Sequence, residues 1–365
     1  MIEFEQGAAD DSGAAGAKAK ASPYMQWLEF ENLPVYQGQY FEDLRTVELA
    51  PWTRTGGRGC YINHENSNDS NDCQLWELPP GAALEPERHM YEEMIFVLEG
   101  NGSTSVGVSE DHIQSFEWQA GSLFAIPLNA WHQHFNGSGS KPARFIAVTN
   151  LPTVMNLYNS PSFVFECDYS FNGRFDGEDG YFSADGELVG RYLWKTNFVP
   201  DAASIDIYEY AERGPGAKVE LSLARNMMGT HISGFPPGTY KMAHKHGPGA
   251  HLLPASGIGY TMMWLPGDEP KRYDWKYGSM VTPPDGYFHQ HFNAGSEVAR
   301  YIALTYRAAR PRHESGEPLA RVSTRLGGDQ LEYRDEPPVI LETFRKTLAD
   351  NGVEFNMDLS LWELD

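Results

Sequence analysis

His244, Lys245 and His246 stand shortly after a Pro236-Pro237-Gly238 turn, in a stretch whose residue types suit a strand. A strand turns alternate side chains to the same side, so both imidazoles project from one face. A third imidazole, His289, follows the turn residues Pro284-Asp285-Gly286, which lets a separate strand reach the same interior. Three imidazoles converging on one cavity make a metal site with open coordination positions, which a catalytic centre needs and a closed structural site lacks. The opposing reading, three ordinary polar residues, leaves three buried neutral rings to be satisfied without a metal, and that is costly.

The elements that must position these histidines come from a duplication. A shift of 157 residues lays Pro79-Pro80-Gly81 on Pro236-Pro237-Gly238, His89 on His246, Gly100 on Gly257, Trp118 on Trp275, and the Gln-His-Phe-Asn run at 133 to 136 on the same run at 290 to 293. One residue out of register, Ala143 to Ala147 matches Ala299 to Ala303. Internal repetition decides architecture before local propensity does. The ligand slots of the first copy hold Glu87, His89, Glu93 and His132, so a second metal site of two histidines and a carboxylate is a candidate there, beside the alternative that this copy has lost its metal.

Within each copy the runs are short, aromatic and β-branched, and they are punctuated by Gly, Pro and Asn, as strands of a sandwich or barrel are. One helix is expected near the end, where Pro338 sits in a first turn, Ile340, Phe344 and Leu348 recur at four-residue spacing, and Gly352 stops it. The stretch from 151 to 215 links the copies, and its Asn-Gly-Arg-Phe-Asp-Gly-Glu-Asp-Gly run at 172–180 reads as an exposed loop followed by lead-in strands. Residues 1–22, rich in Ala, Gly, Asp and Lys without periodicity, read as a disordered tail.

The motifs of both copies resemble those of the cupin superfamily. In the second copy the first-motif histidines are His244 and His246, and the second motif runs Gly278, Pro284, Gly286, His289, Asn293; in the first copy Gly121, Pro127 and Asn136 are kept, with Asn129 where Gly is usual. The resemblance covers roughly residues 75 to 150 and 232 to 307. It implies an all-β chain of two tandem double-stranded β-helix (jelly-roll) barrels: an N-terminal cupin domain at 23–150, a link at 151–215, a C-terminal cupin domain at 216–310, and an extension with a short helix at 311–365.

Ala250 stands where the family's glutamate is usual, as in gentisate 1,2-dioxygenase-like proteins. That similarity implies Fe(II) on three imidazoles and a non-haem dioxygenase that cleaves a C–C bond of a small oxygenated, aromatic substrate with O2. In those enzymes, however, the metal sits in the N-terminal barrel. Two alternatives stay open: an O2-independent isomerase, decarboxylase or lyase with Mn, Ni or Zn, and a non-catalytic bicupin that binds a small molecule, like the seed globulins. His251 and His291 are candidate catalytic residues beside the metal, able to move a proton or orient an oxyanion.

Composition narrows the partners. A formal charge of -22, with no basic run, argues against nucleic acid and against an anionic membrane surface. The three cysteines, Cys60, Cys73 and Cys167, have no paired spacing and read as reduced structural thiols. The acidic first residues do not resemble a secretion signal, so a cytoplasmic protein is expected, and a homo-oligomer.

Overall fold

Runs such as Glu93–Glu99 and Ala143–Thr149 form antiparallel strands because their branched and aromatic side chains suit a pleated, half-buried surface. The computed structural model describes residues 21–63, 70–109, 112–247, 250–306 and 312–363. Of the tail expected at 1–22, all but the last two residues lie outside them.

In the N-terminal copy an eight-stranded sheet, with Ala143–Thr149 between Asp72–Leu78 and Glu93–Glu99, faces a three-stranded sheet centred on Asn101–Ser109. In the C-terminal copy a nine-stranded sheet, with Ala299–Thr305 between Gly229–Phe235 and Ala250–Ser256, faces a three-stranded sheet centred on Gly259–Trp264. Each pair of sheets encloses one interior, and the chain is two tandem jelly-roll barrels. The match extends to turn geometry. Asn129 has φ 57° where Gly286 has φ 79°, so asparagine fills the left-handed position that the second copy gives to glycine.

Alternation along the large-sheet strands sends one set of side chains into each barrel and the other set between the barrels. Leu75, Phe96 and Ile146 meet Ile232, Leu253 and Ile302 in a shared apolar layer. The copies also exchange edges. Tyr40–Phe41 pairs with Met280–Val281, and Phe198–Val199 pairs with Leu123–Ile126. The exchange is two-fold in character: Leu44 N donates to Gly278 O at 2.8 Å, and Ala202 N donates to Gly121 O at 2.9 Å. Cys60 and Cys73 lie unpaired in the shared layer, and burial pushes the Cys60 thiol up to about 12.

The C-terminal helix spans Pro338–Asn351, buries Ile340, Phe344 and Leu348, and ends at Gly352 with φ 66°. Three further helices correct the sequence reading: Pro23–Glu31, Leu151–Tyr158 and Pro161–Glu166. The last two occupy the start of the linking stretch, before the run read as a loop, where no helix was expected. Their signal is local, a polar cap followed by proline, as at Ser160-Pro161, where Ser160 Oγ accepts from Phe163 N. No described helix is long and apolar enough to cross a membrane.

A repeated glycine holds the inner wall of each barrel close to its tryptophan. A Cβ at Gly102 would collide with Phe135 O and the Trp118 indole, and one at Gly259 with Phe292 O and the Trp275 indole. Gly102→Ala and Gly259→Ala are each expected to cost about 1–3 kcal/mol, the range for forcing atoms into a full interior. Urea unfolding measures this, and wild-type stability in either variant would contradict the close approach.

Candidate metal centres

Both candidate clusters form where the motif strands meet. In the C-terminal barrel His244 bridges to His289, and the rings of His244, His246 and His289 lie with centroids 4.3, 4.9 and 5.3 Å apart. One ligating atom from each comes within 4.8 Å of the others, and the same holds for His89, Glu93 and His132 in the N-terminal barrel. Glu87 stands at the rim of that second cluster, with Oε1 3.8 Å from His132 Nε2 and its other oxygen paired to Arg54. Burial works to raise the Glu87 pKa, but Arg54, His132 and His89 outweigh it and hold the carboxyl down at about 2.

The N-terminal trio fits a divalent metal as it stands. His89 Nδ1 lies 2.9 Å from Tyr91 O and His132 Nδ1 lies 3.1 Å from Ala130 O, so each Nδ1–H donates there and each ring turns its Nε2 inward, that of His89 to 3.5 Å from Glu93 Oε2. Those two Nε2 atoms and Glu93 Oε2 are buried without a hydrogen-bond partner among the described residues. Convergent buried acceptors of this kind are costly unless a cation sits among them.

The C-terminal trio is arranged differently. His289 Nδ1 is fixed in the same way, 3.1 Å from Tyr287 O. His244 Nε2, however, accepts from Arg213 Nη1 at 2.7 Å, and Arg213 Nη2 donates to Ala320 O at 2.9 Å. Burial, then Arg213, pushes the His244 pKa well down, so the ring is neutral. A metal taken up through His244 Nε2 exchanges with the guanidinium, and the donor set fits a metal on that condition.

The interiors differ as much as the clusters. The N-terminal barrel is filled by Trp52, Tyr61, Trp76, Leu84 and Phe145. The C-terminal barrel holds a cavity of about 540 Å³ whose lining includes His244, His246, His289, His291, Arg213, Lys218, Lys241 and Glu220. The register explains the cavity: Trp76 pairs with Phe145 in one copy, and Ser233 pairs with Tyr301 in the other.

His291 reaches the cavity at the end of a chain that both barrels share. Trp275 Nε1 donates to Thr261 Oγ1 at 3.1 Å, and Thr261 Oγ1 lies 2.9 Å from His291 Nδ1; Trp118, Thr104 and His134 repeat this at 2.9 and 2.8 Å. With the tryptophan donating to the hydroxyl oxygen, the hydroxyl hydrogen is available to Nδ1, and in the tautomer that accepts it the neutral ring carries its proton on Nε2. Burial, then His289, pushes the His291 pKa well down. His291 is therefore set up as a donor to an oxyanion more than as a base.

His251 corrects the sequence reading. Ala250 and Leu252 line the cavity, and His251, between them on one strand, faces away into the shared layer with Leu253. Its counterpart Met94 faces that layer too. Arg213, Lys218 and Lys241 had not been singled out from the sequence. The repeat carries a signal for Lys241, which falls on Leu84 under the same shift, so a charge replaces a core leucine.

If Arg213 competes with a metal for His244, Arg213→Met tightens metal binding in the C-terminal barrel by about tenfold or more, the order that one like charge at this range imposes. Zn(II) titration in a His89→Ala background reads that site alone. An unchanged or weakened affinity would show that the guanidinium is no competitor.

Residues 74–149 match the family described as "Cupin domain". No curated protein sequence matches the chain at a significant level. Solved structures of similar outline include a mutant of Bacillus subtilis oxalate decarboxylase, at 11% identity and a TM-score of 0.48, covering 85% of this chain and 89% of that one. Vicilin from Corylus avellana (hazelnut) is another, at 11% identity and a TM-score of 0.46, covering 76% and 89%. The barrel at 74–149 is thus a cupin domain, and the chain, which repeats that barrel, is built as a bicupin.

Proposed function

We propose that the chain is a metal-dependent enzyme whose active site is the C-terminal barrel, and that it acts as a non-haem Fe(II) dioxygenase cleaving a C–C bond of a small oxygenated aromatic acid. The observation that supports this reading is the coincidence of three convergent imidazoles with an open, cation-lined cavity of about 540 Å³, a volume suited to a small molecule. Iron held by His244, His246 and His289 would supply Lewis acidity and electrons for O2.

The protein's own groups divide the remaining work. Arg213, once exchanged from His244, can turn its Nη1 to an anionic substrate oxygen, and its Nη2 bond to Ala320 O keeps it beside the histidines. His291 Nε2–H donates to a developing oxyanion, held in orientation by Thr261 and Trp275. Ala250, Leu252 and Ala303 present small or apolar surface to the cavity and leave room for a ring. The N-terminal trio, with His89, Glu93 and His132 only 2%, 2% and 3% exposed, is suited to a closed structural metal rather than to turnover.

Protein purified without oxygen and loaded with Fe(II) should consume O2 with a hydroxylated aromatic acid, as an oxygen electrode records. His246→Ala abolishes that uptake, and His89→Ala leaves most of it in a protein still folded by circular dichroism. Turnover without O2, using Mn, Ni or Zn, would assign isomerase, decarboxylase or lyase chemistry instead. Loss in His89→Ala with retention in His246→Ala would move the active site to the N-terminal barrel.

A further inference from the structure

Lys241 is a buried amine with no acid beside it, and burial, then Arg213 and Lys218, pushes its pKa down to about 7. It is 5% exposed, and its Nζ donates to Ser233 Oγ at 3.2 Å. The Phe235 and Tyr301 rings stand 5.5 and 5.9 Å from Nζ. No carboxylate pairs with Lys241 among the described residues, and the charges that act on it, Arg213 and Lys218, have its own sign. Lys218 makes the contrast clear, since it shares the cavity but has Glu220 at 3.0 Å and two tyrosine rings beneath it.

The N-terminal barrel serves as an internal control. There the position of Lys241 is filled by Leu84 and that of Ser233 by Trp76, both packed in the core. The backbone bond is common to the two, Leu84 N to His134 O at 2.9 Å and Lys241 N to His291 O at 3.3 Å. The same frame therefore tolerates an apolar plug, and the C-terminal copy has an ammonium, a hydroxyl and open space in its place. A buried unpaired ammonium is a standing cost to folding. An anion that enters the cavity removes it.

We infer that Lys241 Nζ and Ser233 Oγ form a carboxylate-binding subsite in the C-terminal cavity, which anchors a substrate carrying a carboxylate on an apolar body. Two donors side by side match the two oxygens of a carboxylate. The flanking Phe235 and Tyr301 rings suit an apolar or aromatic body better than a strongly hydrated phosphate dianion. The inference rests on the cavity being the substrate site, and it needs neither the metal nor O2.

The full chain, stripped of metal with chelator, is titrated calorimetrically with benzoate and separately with inorganic phosphate. Benzoate should bind, phosphate more weakly, and Lys241→Met should weaken benzoate by roughly 10- to 100-fold, the worth of a hydrogen bond to a charged group. Ser233→Ala should weaken it several-fold. Lys241→Met should also melt higher than wild type without ligand, since the unpaired charge is gone. Wild type that does not bind benzoate, benzoate binding unchanged in Lys241→Met, or phosphate binding as tightly as benzoate would each overturn the subsite. A failure of oxygen uptake would instead strike the dioxygenase reading and leave benzoate binding in place.

Discussion

The interior of a jelly-roll barrel has a volume set by its strand frame, and inward-pointing side chains either fill it or leave it open. Everything distinctive about this chain follows from meeting that constraint in two ways on one frame. In the N-terminal barrel Trp52, Tyr61, Trp76 and Leu84 fill the space, and the ligand cluster is sealed beneath them. In the C-terminal barrel Ser233 and Lys241 stand where Trp76 and Leu84 would, and the space left over is the cavity. The frame survives the exchange because its integrity lies elsewhere, in the shared apolar layer and the traded edge strands. Those contacts use the opposite face of the same strands, so the interior can change chemistry without disturbing the packing between barrels.

The two clusters show how little separates a site that suits a cation from one that an arginine occupies. An arginine stands at the first ligand slot of each barrel, Arg54 on Glu87 and Arg213 on His244. Against a carboxylate the guanidinium makes an ion pair, and three other ligand atoms are left bare for a cation. Against a neutral imidazole it takes the lone pair that a metal would use. The difference of one residue type, Glu87 against His244, thus decides whether the arginine supports the neighbouring site or competes for it.

Much of this was legible in the sequence. The 157-residue repeat, the strand runs and the meeting of His244, His246 and His289 all follow from motif spacing and strand period. The N-terminal alternatives were also legible. What bears on them are the Nδ1 contacts to the carbonyls of Tyr91 and Ala130, which no residue identity encodes. His251 falls outside the cavity because it stands one residue out of phase with Ala250, whose side chain lines it. The helices at Leu151–Tyr158 and Pro161–Glu166 are too short for periodicity to show, and only their caps announce them. Arg213 could not have been found, since it lies outside the gapless repeat and reaches His244 through tertiary folding alone.

Charge gives the last link between composition and site. A net charge of -22 sets a field that repels anions from the molecule as a whole, and at first sight this disfavours an acidic substrate. Screening limits that field to about 8 Å at physiological salt, however, whereas groups inside a cavity act across shorter, less screened distances. Within the cavity the cations Arg213, Lys218 and Lys241 face Glu220, which Lys218 already neutralises. An anion that comes within a Debye length of the opening therefore meets a local field of the attractive sign, and an anion kept outside does not. The acidic exterior and the cationic interior are consistent with each other: one bears on solubility and the other on what is bound.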